Sequence, residues 1–277
     1  MSLTVKAYAK LNLWLDITGF RGDGYHTLNA VMRRIDLYDD VTVETCYGGE
    51  VTIECDDPNV PTDGWNIAYR AAKAFFAKMR KNVGVNIAIK KRIPVGAGLG
   101  GSSADGAAVL TALNELCGRP LDSFGLCSLG AELGADVPFC ITGGTARCTG
   151  IGEIMQPIDC VDFTALVVVP GFACSTADAY KKYDESPLRE QPGFDAFCGG
   201  IAYSRLLLVN NMYNVFSELY DDPVLSRLRH NILAAGAEGA CMTGSGSAVF
   251  GIFADEASAK KAAEGFPGMR TYVVRAL

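Results

Sequence analysis

The sequence predicts an α+β protein, and three observations lead to that prediction. Segments that alternate apolar and polar residues, as strands do, are interspersed with segments of helical apolar spacing. The two kinds of segment do not follow the regular strand–helix–strand order of a doubly wound sheet. The chain has 277 residues, of which 49 % are hydrophobic, so it is long enough to bury one large core or two modest ones.

Charge and cysteine usage exclude several classes of protein. The 25 Lys and Arg against 31 Asp and Glu give a net charge of −6, which disfavours a sequence-independent nucleic-acid binder. No apolar run approaches the roughly 20 residues of a membrane span, and Lys6, Lys10 and Asp16 interrupt the pattern of a signal peptide. Only His26 and His230 offer imidazole, too few for a typical His-rich metal site. The ten cysteines form no Cys-x-x-Cys pair, so we expect reduced thiols, most of them in the core, in a cytoplasmic protein.

The first half of the chain opens with a strand. Leu11, Leu13 and Leu15 share one face of it, and the polar face carries Asn12 and Asp16. The predicted elements that follow are a turn at 19–24, an extended run over about 29–45, a helix over 66–79, a strand over 83–89, a glycine-rich loop, a helix that ends near 117, a helix over about 121–133 and an extended stretch over 137–148.

The character of the sequence shifts after residues 150–152, and we predict a domain boundary near 150–160. The elements predicted beyond it are a buried strand over 165–169, helices over about 176–182, 205–219 and 223–235, strands over about 239–242 and 247–253, a helix over 255–265 and a last strand over 270–275. The stretch 184–203 contains two prolines and three glycines, so it is predicted to be a surface loop.

The glycine-rich segment GAGLGGSS at 96–103 is the clearest local motif. It satisfies G-x-G-x-x-G, but it lies far from a first strand and lacks the following acidic residue of a dinucleotide site. Ser102 stands where a Walker A lysine belongs, and the G-x-S-x-G elbow of serine hydrolases is absent. Glycines that admit a bulky anion, followed by a helix start at Ser102, predict a phosphate-binding loop. A flexible loop before a capped helix is the alternative.

The stretch from Pro94 to Ala104 resembles the phosphate-binding motif of the GHMP-type small-molecule kinases, Pro-x-x-x-Gly-Leu-x-Ser-Ser-Ala in outline. Further segments similar to one branch of these kinases are AKLNLWLDITGFRGDGYHTLNAVM at 9–32, IDLYDDVTVE at 35–44, LGADVPFCITGGTARCTGIGE at 133–153, PGFACSTADAY at 170–180 and MTGSGSAVFGIF at 242–253. The resemblance covers nearly the whole chain. It implies an N-terminal ATP-binding domain over 1–155, a C-terminal α+β domain over 156–277 and an active site in the cleft between the domains.

The resemblance also implies a reaction. ATP, with Mg²⁺, would give its γ-phosphoryl group to the 2-hydroxyl of a methylerythritol unit that carries a cytidine diphosphate moiety. Lys10 would act as the electrostatic partner and Asp136 as the general base, where the plain alternatives are a solvated strand lysine and a turn aspartate. A relative that acts on homoserine or mevalonate, and a non-catalytic nucleotide-binding relative, remain the competing interpretations.

The resemblance further assigns binding residues. The residues expected to bind ATP are Asn66, Pro94, Val95, Gly96, Ala97, Gly98, Leu99, Gly100, Gly101, Ser102, Ser103 and Ala104. The residues expected to bind the alcohol substrate are Asn12, Tyr25, His26, Thr176, Tyr180, Gly244, Ser245 and Gly246. Tyr25 would stack on the cytosine, His26 would contact its polar edge, and Tyr180 would face the ring from the other domain.

Each binding role has a structural alternative. Asn66 is also suited to cap a helix, Tyr25 to be an exposed aromatic residue and Gly244–Ser247 to form a tight turn. The sequence departs from the family pattern at 100–104, which leaves the serine that would reach magnesium unassigned. It also departs at 210–213, which bears on the detail of the substrate.

Overall fold

A computed structural model describes residues 1–220 and 222–277. The strands are β1 (Ser2–Phe20), β2 (His26–Cys46), β3 (Val51–Cys55), β4 (Gly84–Lys90), β5 (Thr145–Thr149), β6 (Ile154–Pro157), β7 (Thr164–Val169), β8 (Tyr213–Asn214), β9 (Gly239–Met242), β10 (Val249–Phe253) and β11 (Arg270–Arg275). The helices are α1 (Ile67–Met79), α2 (Gly101–Leu116), α3 (Ser123–Ala131), α4 (Val137–Thr142), α5 (Thr176–Glu185), α6 (Phe194–Gly200), α7 (Arg205–Asn211), α8 (Val215–Leu219), α9 (Pro223–Ala234) and α10 (Glu256–Ala263). The mixture, without regular strand–helix–strand units, confirms the α+β prediction.

The chain divides into two compact units, and each draws on several separate stretches of sequence. The first unit consists of residues 1–9, 37–95 and 100–143, and the second of residues 10–36, 96–99 and 144–277. Both units therefore contain part of β1 and part of β2. The predicted continuous domains, 1–155 and 156–277, stay a prediction.

The first unit packs four helices on one sheet. Its strands run in the order β3-β4-β2-β1, in which β2 and β4 are antiparallel and β3 and β4 are parallel. The helix α1 packs on α2, and α4 packs on both α2 and α3. Their inward side chains, including Phe75, Val109 and Phe139, are fully buried with Val41 and Ile87 of the sheet. This core supports the helix that follows the glycine-rich segment.

The second unit contains an antiparallel sheet in the order β11-β7-β10-β9. Strand β7 is buried along nearly its whole length, because α10 packs on β7 and α9 packs on β10. Val168 pairs with both Val249 and Thr271, which fixes the register of the three strands. Here β8 pairs in parallel with β1, β5 pairs with β2, and β6 pairs with β5.

The predicted extended stretch 137–148 is wrong in its first half, where the chain forms α4 before β5 begins at Thr145. Pro138 lies in the first turn of α4, where its missing N–H costs no helical hydrogen bond. The β-branched Val137, Ile141 and Thr142 make the segment look like a strand, but packing on α2 and α3 decides for helix.

The predicted surface loop 184–203 is also corrected, because it contains α6. Phe194 and Phe197 are buried, with ring centroids 5.8 and 5.1 Å from that of Trp14. Phe194 is three residues before Phe197 and four before Cys198, which is the apolar spacing of a helix. The prolines and glycines of the segment favoured a loop instead.

The predicted helix 205–219 is interrupted. It ends as α7, passes through the two residues of β8 and restarts as α8. Tyr213 pairs with Trp14 of β1, and the Asn214 side chain then caps α8 by accepting the N–H of Phe216 at 3.0 Å. The pairing of β8 with β1 and the new cap at Asn214 explain why the helix is interrupted here.

The ten cysteines are free thiols, as predicted, but only Cys148, Cys198 and Cys241 are buried. The expectation that most cysteines fill the core is therefore wrong. In the two described stretches of the chain, no helix is both long and apolar enough to cross a membrane.

Candidate active site

The glycine-rich segment ends in an uncapped helix start. Helix α2 begins at Gly101, one residue before the predicted start, and its N-cap Gly100 has a φ of 75°. Gly100 has no side-chain oxygen, and α2 has no side-chain cap. An uncapped N-terminus leaves backbone N–H groups and the positive end of the helix dipole available to an anion. The side-chain cap that the alternative interpretation expects is therefore not present, and phosphate binding at this loop stays a prediction.

Gly98 is required by both its conformation and its surroundings. Its φ is 78°, and a Cβ atom there would lie 2.1 Å from the carbonyl oxygen of Thr243. Gly244, with a φ of 57°, approaches the same segment from the other side, since its Cβ would lie 2.8 Å from the carbonyl oxygen of Gly98. The two glycine-rich turns thus pack backbone against backbone. A substrate role for Gly244, Ser245 and Gly246 stays a prediction.

Hydrogen bonds hold these two turns together. Thr243 Oγ1 donates to the carbonyl oxygen of Gly98 at 3.3 Å, and the N–H of Ala248 donates to the carbonyl oxygen of Ala97 at 3.2 Å. Asn214 Nδ2 donates to the carbonyl oxygens of Met242 and Gly244, both at 2.9 Å. The shape of the second turn therefore depends on a buried amide that sequence analysis did not single out.

Lys10 is buried, with 4 % of the residue exposed, so the interpretation as a solvated strand lysine is wrong. Its Nζ donates to Asn12 Oδ1, and its N–H donates to the carbonyl oxygen of Leu99 at 3.0 Å. Asn12 Oδ1 also accepts the N–H of Gly244 at 3.1 Å, and its own N–H donates to Thr243 Oγ1 at 3.0 Å. The second unit thus gathers Lys10, Asn12 and both glycine-rich turns.

Asp136 lies at the N-cap position of α4 in the first unit, but its side chain does not cap the helix. The residue has helical backbone angles and is half-buried. An ordinary turn or cap aspartate would use its carboxylate on nearby N–H groups. Because Asp136 and Lys10 belong to different units, their predicted pairing stays a prediction.

Asn66 caps α1, which is the structural role foreseen for it. Its Oδ1 accepts the N–H of Ala68 at 2.8 Å, and its Nδ2 donates to the carbonyl oxygen of Pro61 at 2.7 Å. Contact with adenine stays a prediction beside this cap.

The residues proposed to bind a nucleobase differ in their contacts and exposure. His26 and Tyr180 are in ring contact, with centroids 4.8 Å apart, and His26 Nε2 lies 2.7 Å from Asp184 Oδ1. Tyr25 is 58 % exposed. All three predicted residues belong to the second unit, and their roles toward a base stay predictions.

Two further predicted substrate residues meet directly. Thr176 Oγ1 lies 2.9 Å from Ser245 Oγ, and the neighbouring Ser175 caps α5 by accepting the N–H of Asp178. A pair of hydroxyl groups beside the second glycine-rich turn is suited to bind phosphate or hydroxyl oxygens.

The side chains that could hold a magnesium ion are few. Within residues 1–220 and 222–277, no three His, Cys, Asp or Glu side chains cluster as metal ligands. Mg²⁺ in nucleotide sites needs only one or two protein ligands, because phosphate oxygens and water supply the rest. Ser102 and Ser103, in the first turn of α2, are exposed and half-buried. The hydroxyl groups of Ser102 and Ser103 therefore fit a nucleotide-bound Mg²⁺.

Sequence analysis missed a buried charge cluster in the first unit, formed by Asp39, Lys91 and Asp105. Lys91 Nζ lies 2.5 Å from Asp39 Oδ2 and 2.8 Å from Asp105 Oδ2. A signal was present, because Asp39 occupies an inward position between Leu37 and Val41 in the alternating pattern of β2. Burial raises the pKa of Asp105 to about 7.

Comparison with known families gives the class of the protein. Residues 66–144 match the family described as GHMP kinases N terminal domain, and residues 222–268 match GHMP kinases C terminal. A homoserine kinase structure from Cytophaga hutchinsonii superimposes with a TM-score of 0.78 over 100 % of this chain and 94 % of the other, at 20 % identity, and thus shares the fold.

More similar proteins define the family within this class. 4-Diphosphocytidyl-2-C-methyl-D-erythritol kinase of Clostridium botulinum is 42 % identical over 95 % of both chains, and that of Geobacter metallireducens is 42 % identical over 100 % of this chain and 98 % of its own. A crystal structure of 4-(cytidine 5'-diphospho)-2C-methyl-D-erythritol kinase superimposes with a TM-score of 0.77 at 33 % identity, over 99 % of both chains. The chain therefore belongs to the GHMP kinases, in the family of the 4-diphosphocytidyl-2-C-methyl-D-erythritol kinases. It is a small-molecule kinase that uses ATP.

Proposed function

We propose that this kinase transfers the γ-phosphoryl group of ATP to the 2-hydroxyl of 4-diphosphocytidyl-2-C-methyl-D-erythritol, in the non-mevalonate route to isoprenoid precursors. The observation that carries the proposal is the 42 % identity, over 95 % of both chains, to a kinase of that name. The fold-level likeness to homoserine and mevalonate kinases comes with 20 % and 14 % identity, so it does not favour their substrates.

Asp136 accepts the proton of the 2-hydroxyl as the hydroxyl oxygen attacks the γ-phosphorus. The bond between that phosphorus and the β–γ bridging oxygen breaks, and ADP leaves. The ammonium of Lys10 stabilises the developing negative charge on that oxygen and on the phosphoryl group. Two observations support these roles: Lys10 is buried with its Nζ fixed on Asn12, and the Asp136 carboxylate is not used as a helix cap. Their pairing is part of the proposal.

The phosphate tail of ATP binds at the start of α2. Support comes from the left-handed glycines 96, 98 and 100 and from the uncapped N-terminus at Gly101. When bound, Mg²⁺ neutralises phosphate charge, and Ser102 and Ser103 are the hydroxyl groups placed to reach it. Asn66 contacts the adenine while it caps α1.

The cytidine diphosphate moiety binds in the second unit. His26, held by Asp184, presents its ring edge to the cytosine, and Tyr25 and Tyr180 supply aromatic surface. The Thr176–Ser245 hydroxyl pair and the turn at Gly244 and Gly246 bind the diphosphate oxygens. The cytoplasmic location and the lack of a nucleic-acid partner stay predictions from composition.

A substrate panel tests the reaction. Purified protein with ATP and Mg²⁺ is offered the cytidyl substrate, homoserine and mevalonate, and ADP release is measured. We expect turnover with the cytidyl substrate alone. Strong turnover with either of the other alcohols would assign the chain a different acceptor, and nucleotide binding without transfer to any of them would identify a non-catalytic relative.

Tyr25→Ala tests the nucleobase subsite. Tyr25 is largely exposed, so its loss should leave the fold intact while the KM for the cytidyl substrate rises about tenfold, the scale of a lost base-stacking contact. The KM for ATP serves as the internal control and should stay unchanged. An unchanged KM for the cytidyl substrate would remove Tyr25 from the site.

A further inference from the structure

The buried cluster of Asp39, Lys91 and Asp105 has no role in the proposed chemistry. All three side chains are almost completely withdrawn from solvent, with exposed fractions of 0 %, 6 % and 4 %. Burying charged groups is costly, and an ion pair often stabilises a core no better than apolar residues of similar size. The cluster therefore calls for an explanation beyond stability.

The cluster connects the two chain segments that flank the glycine-rich loop. On one side, Asp39 Oδ1 accepts the N–H groups of Arg92 at 2.5 Å and Ile93 at 2.8 Å, directly before Pro94. On the other side, Asp105 lies in α2, about one turn after Gly101. Lys91 bonds both carboxylates, so a single ammonium ties the entry of the loop to its exit.

Lys91 also lies directly beneath the helix start. A Cβ atom built on Gly101 would be 3.4 Å from Lys91 Nζ and 3.1 Å from Ile93 Cγ2. A cation at a helix N-terminus is unfavourable for the helix itself, because that end of the dipole is already positive. Asp39 and Asp105 neutralise this ammonium, so Lys91 acts at the helix start through the backbone that it holds and not through its own charge.

The Asp105 side chain accepts a hydrogen bond from Lys91 and does not cap α2. It is past the N-cap, and its Oδ2 bonds Lys91. Its second oxygen, Oδ1, is buried and has no hydrogen-bond partner among the described residues. A carboxylate kept in a core with one oxygen unsatisfied is held there by its bond to the ammonium.

We propose that Lys91, Asp39 and Asp105 form a buried clamp that fixes both ends of the loop 94–100, which makes Lys91 and Asp105 positioning residues for the phosphate tail of ATP. The inference rests on the proposed function, since that function places the phosphates at this loop. The clamp acts through the backbone that it holds and touches neither substrate.

Asp105→Ala is the direct test. It removes one connection and leaves Lys91 paired with Asp39, so the core retains a neutral ion pair and the protein folds. We expect the KM for ATP, and the Kd for a non-hydrolysable ATP analogue, to rise about tenfold or more, because small displacements of a binding loop are costly. The KM for the alcohol substrate stays unchanged. Asp105→Asn keeps an oxygen acceptor for Lys91 and should restore most of the affinity.

A second pair of variants controls for location. Lys91→Met should raise the same two constants, whereas Lys90→Met, at the exposed neighbouring lysine, should leave them unchanged. A merely structural role predicts a lower kcat from a smaller folded fraction, with both KM values unaltered. That result, or ATP constants within twofold of the wild type in folded Asp105→Ala and Lys91→Met, overturns the clamp.

The wild-type protein separates failure of the clamp from failure of the proposed function. If it transfers phosphate to the cytidyl substrate while the variants keep normal ATP constants, only the clamp is wrong. If it binds the ATP analogue but phosphorylates none of the alcohols, the proposed reaction is wrong, and the Kd series still decides on the clamp. If it binds no ATP analogue, both are overturned.

Discussion

Lys10 gains its chemical character from its neighbours. The side chain is on a strand, where a lysine would ordinarily extend into water. Here the turns at Leu99 and Gly244 enclose it, and Asn12 Oδ1 accepts a hydrogen bond from its ammonium group. An ammonium fixed in this way needs no reorganisation when negative charge develops nearby, which is the condition for effective electrostatic catalysis.

Lys10→Ala and Asp136→Ala should each lower kcat by about a hundredfold or more, the usual loss when a preorganised catalytic group is removed. Steady-state ADP release with the cytidyl substrate measures the effect. Lys6→Ala, at an exposed lysine of the same strand, is the control and should retain wild-type turnover. Near-normal turnover in either catalytic variant would show that its role is misassigned.

At the scale of elements, helix starts supply much of the proposed site. Helix α2 begins without a side-chain cap at the glycine-rich loop, and α4 begins at Asp136, whose side chain does not cap the helix. By contrast, α3 and α9 begin with conventional aspartate caps at Asp122 and Asp222. The starts of α2 and α4 carry predicted site residues, and an uncapped N-terminus is available to a ligand. Helix α6 also begins without a side-chain cap, at Gly193, where no site residue is predicted.

Substitutions of Asn66 can distinguish its role as the cap of α1 from its predicted contact with ATP. Asn66→Ala should lower the free energy of unfolding by about 1 kcal/mol, because α1 loses its cap. Asn66→Ser retains a capping oxygen and removes the amide donor without placing a carboxylate oxygen against the carbonyl of Pro61, so it should keep most of the stability while raising the KM for ATP. Thermal unfolding and ATP kinetics on both variants provide the comparison. A normal KM for ATP in both would leave Asn66 as a cap alone.

At the scale of the whole molecule, buried carboxyl groups make stability depend on pH. Burial raises the pKa of Asp105 to about 7 and also raises that of Asp16, mainly by desolvation. Between about pH 4 and 7 the folded protein holds a proton that the unfolded chain has released. The stability contributed by Asp105 is therefore lost as the pH rises through this window, and the raised pKa of Asp16 acts in the same direction.

Denaturant unfolding at a series of pH values measures this dependence. Asp105→Asn should flatten the decline between about pH 4 and 7, because the amide cannot titrate, while Asp16 continues to contribute. Asp159→Asn, at an exposed aspartate, should follow the wild-type profile. An Asp105→Asn profile as steep as that of the wild type would show that Asp105 does not titrate in this range.

The sequence by itself determined the α+β class, most strands and helices, and the glycine-rich segment as a phosphate-loop candidate. These depend on local properties: apolar periodicity, helix-start residues and glycine spacing. It also carried the resemblance that singled out Lys10, Asp136 and the residues proposed for a nucleobase, because several motifs in one order along the chain are specific where a single motif is ambiguous.

Only the tertiary structure decided which charged residues are buried and what they hold. Lys10 is enclosed by segments about 90 and more than 230 residues away in the chain, and Lys91 bonds carboxylates that lie 52 and 14 residues from it. The same long-range packing turned 137–142 into α4 and 194–200 into α6. Burial and charge pairing are sums over distant neighbours, and no local window of sequence contains them.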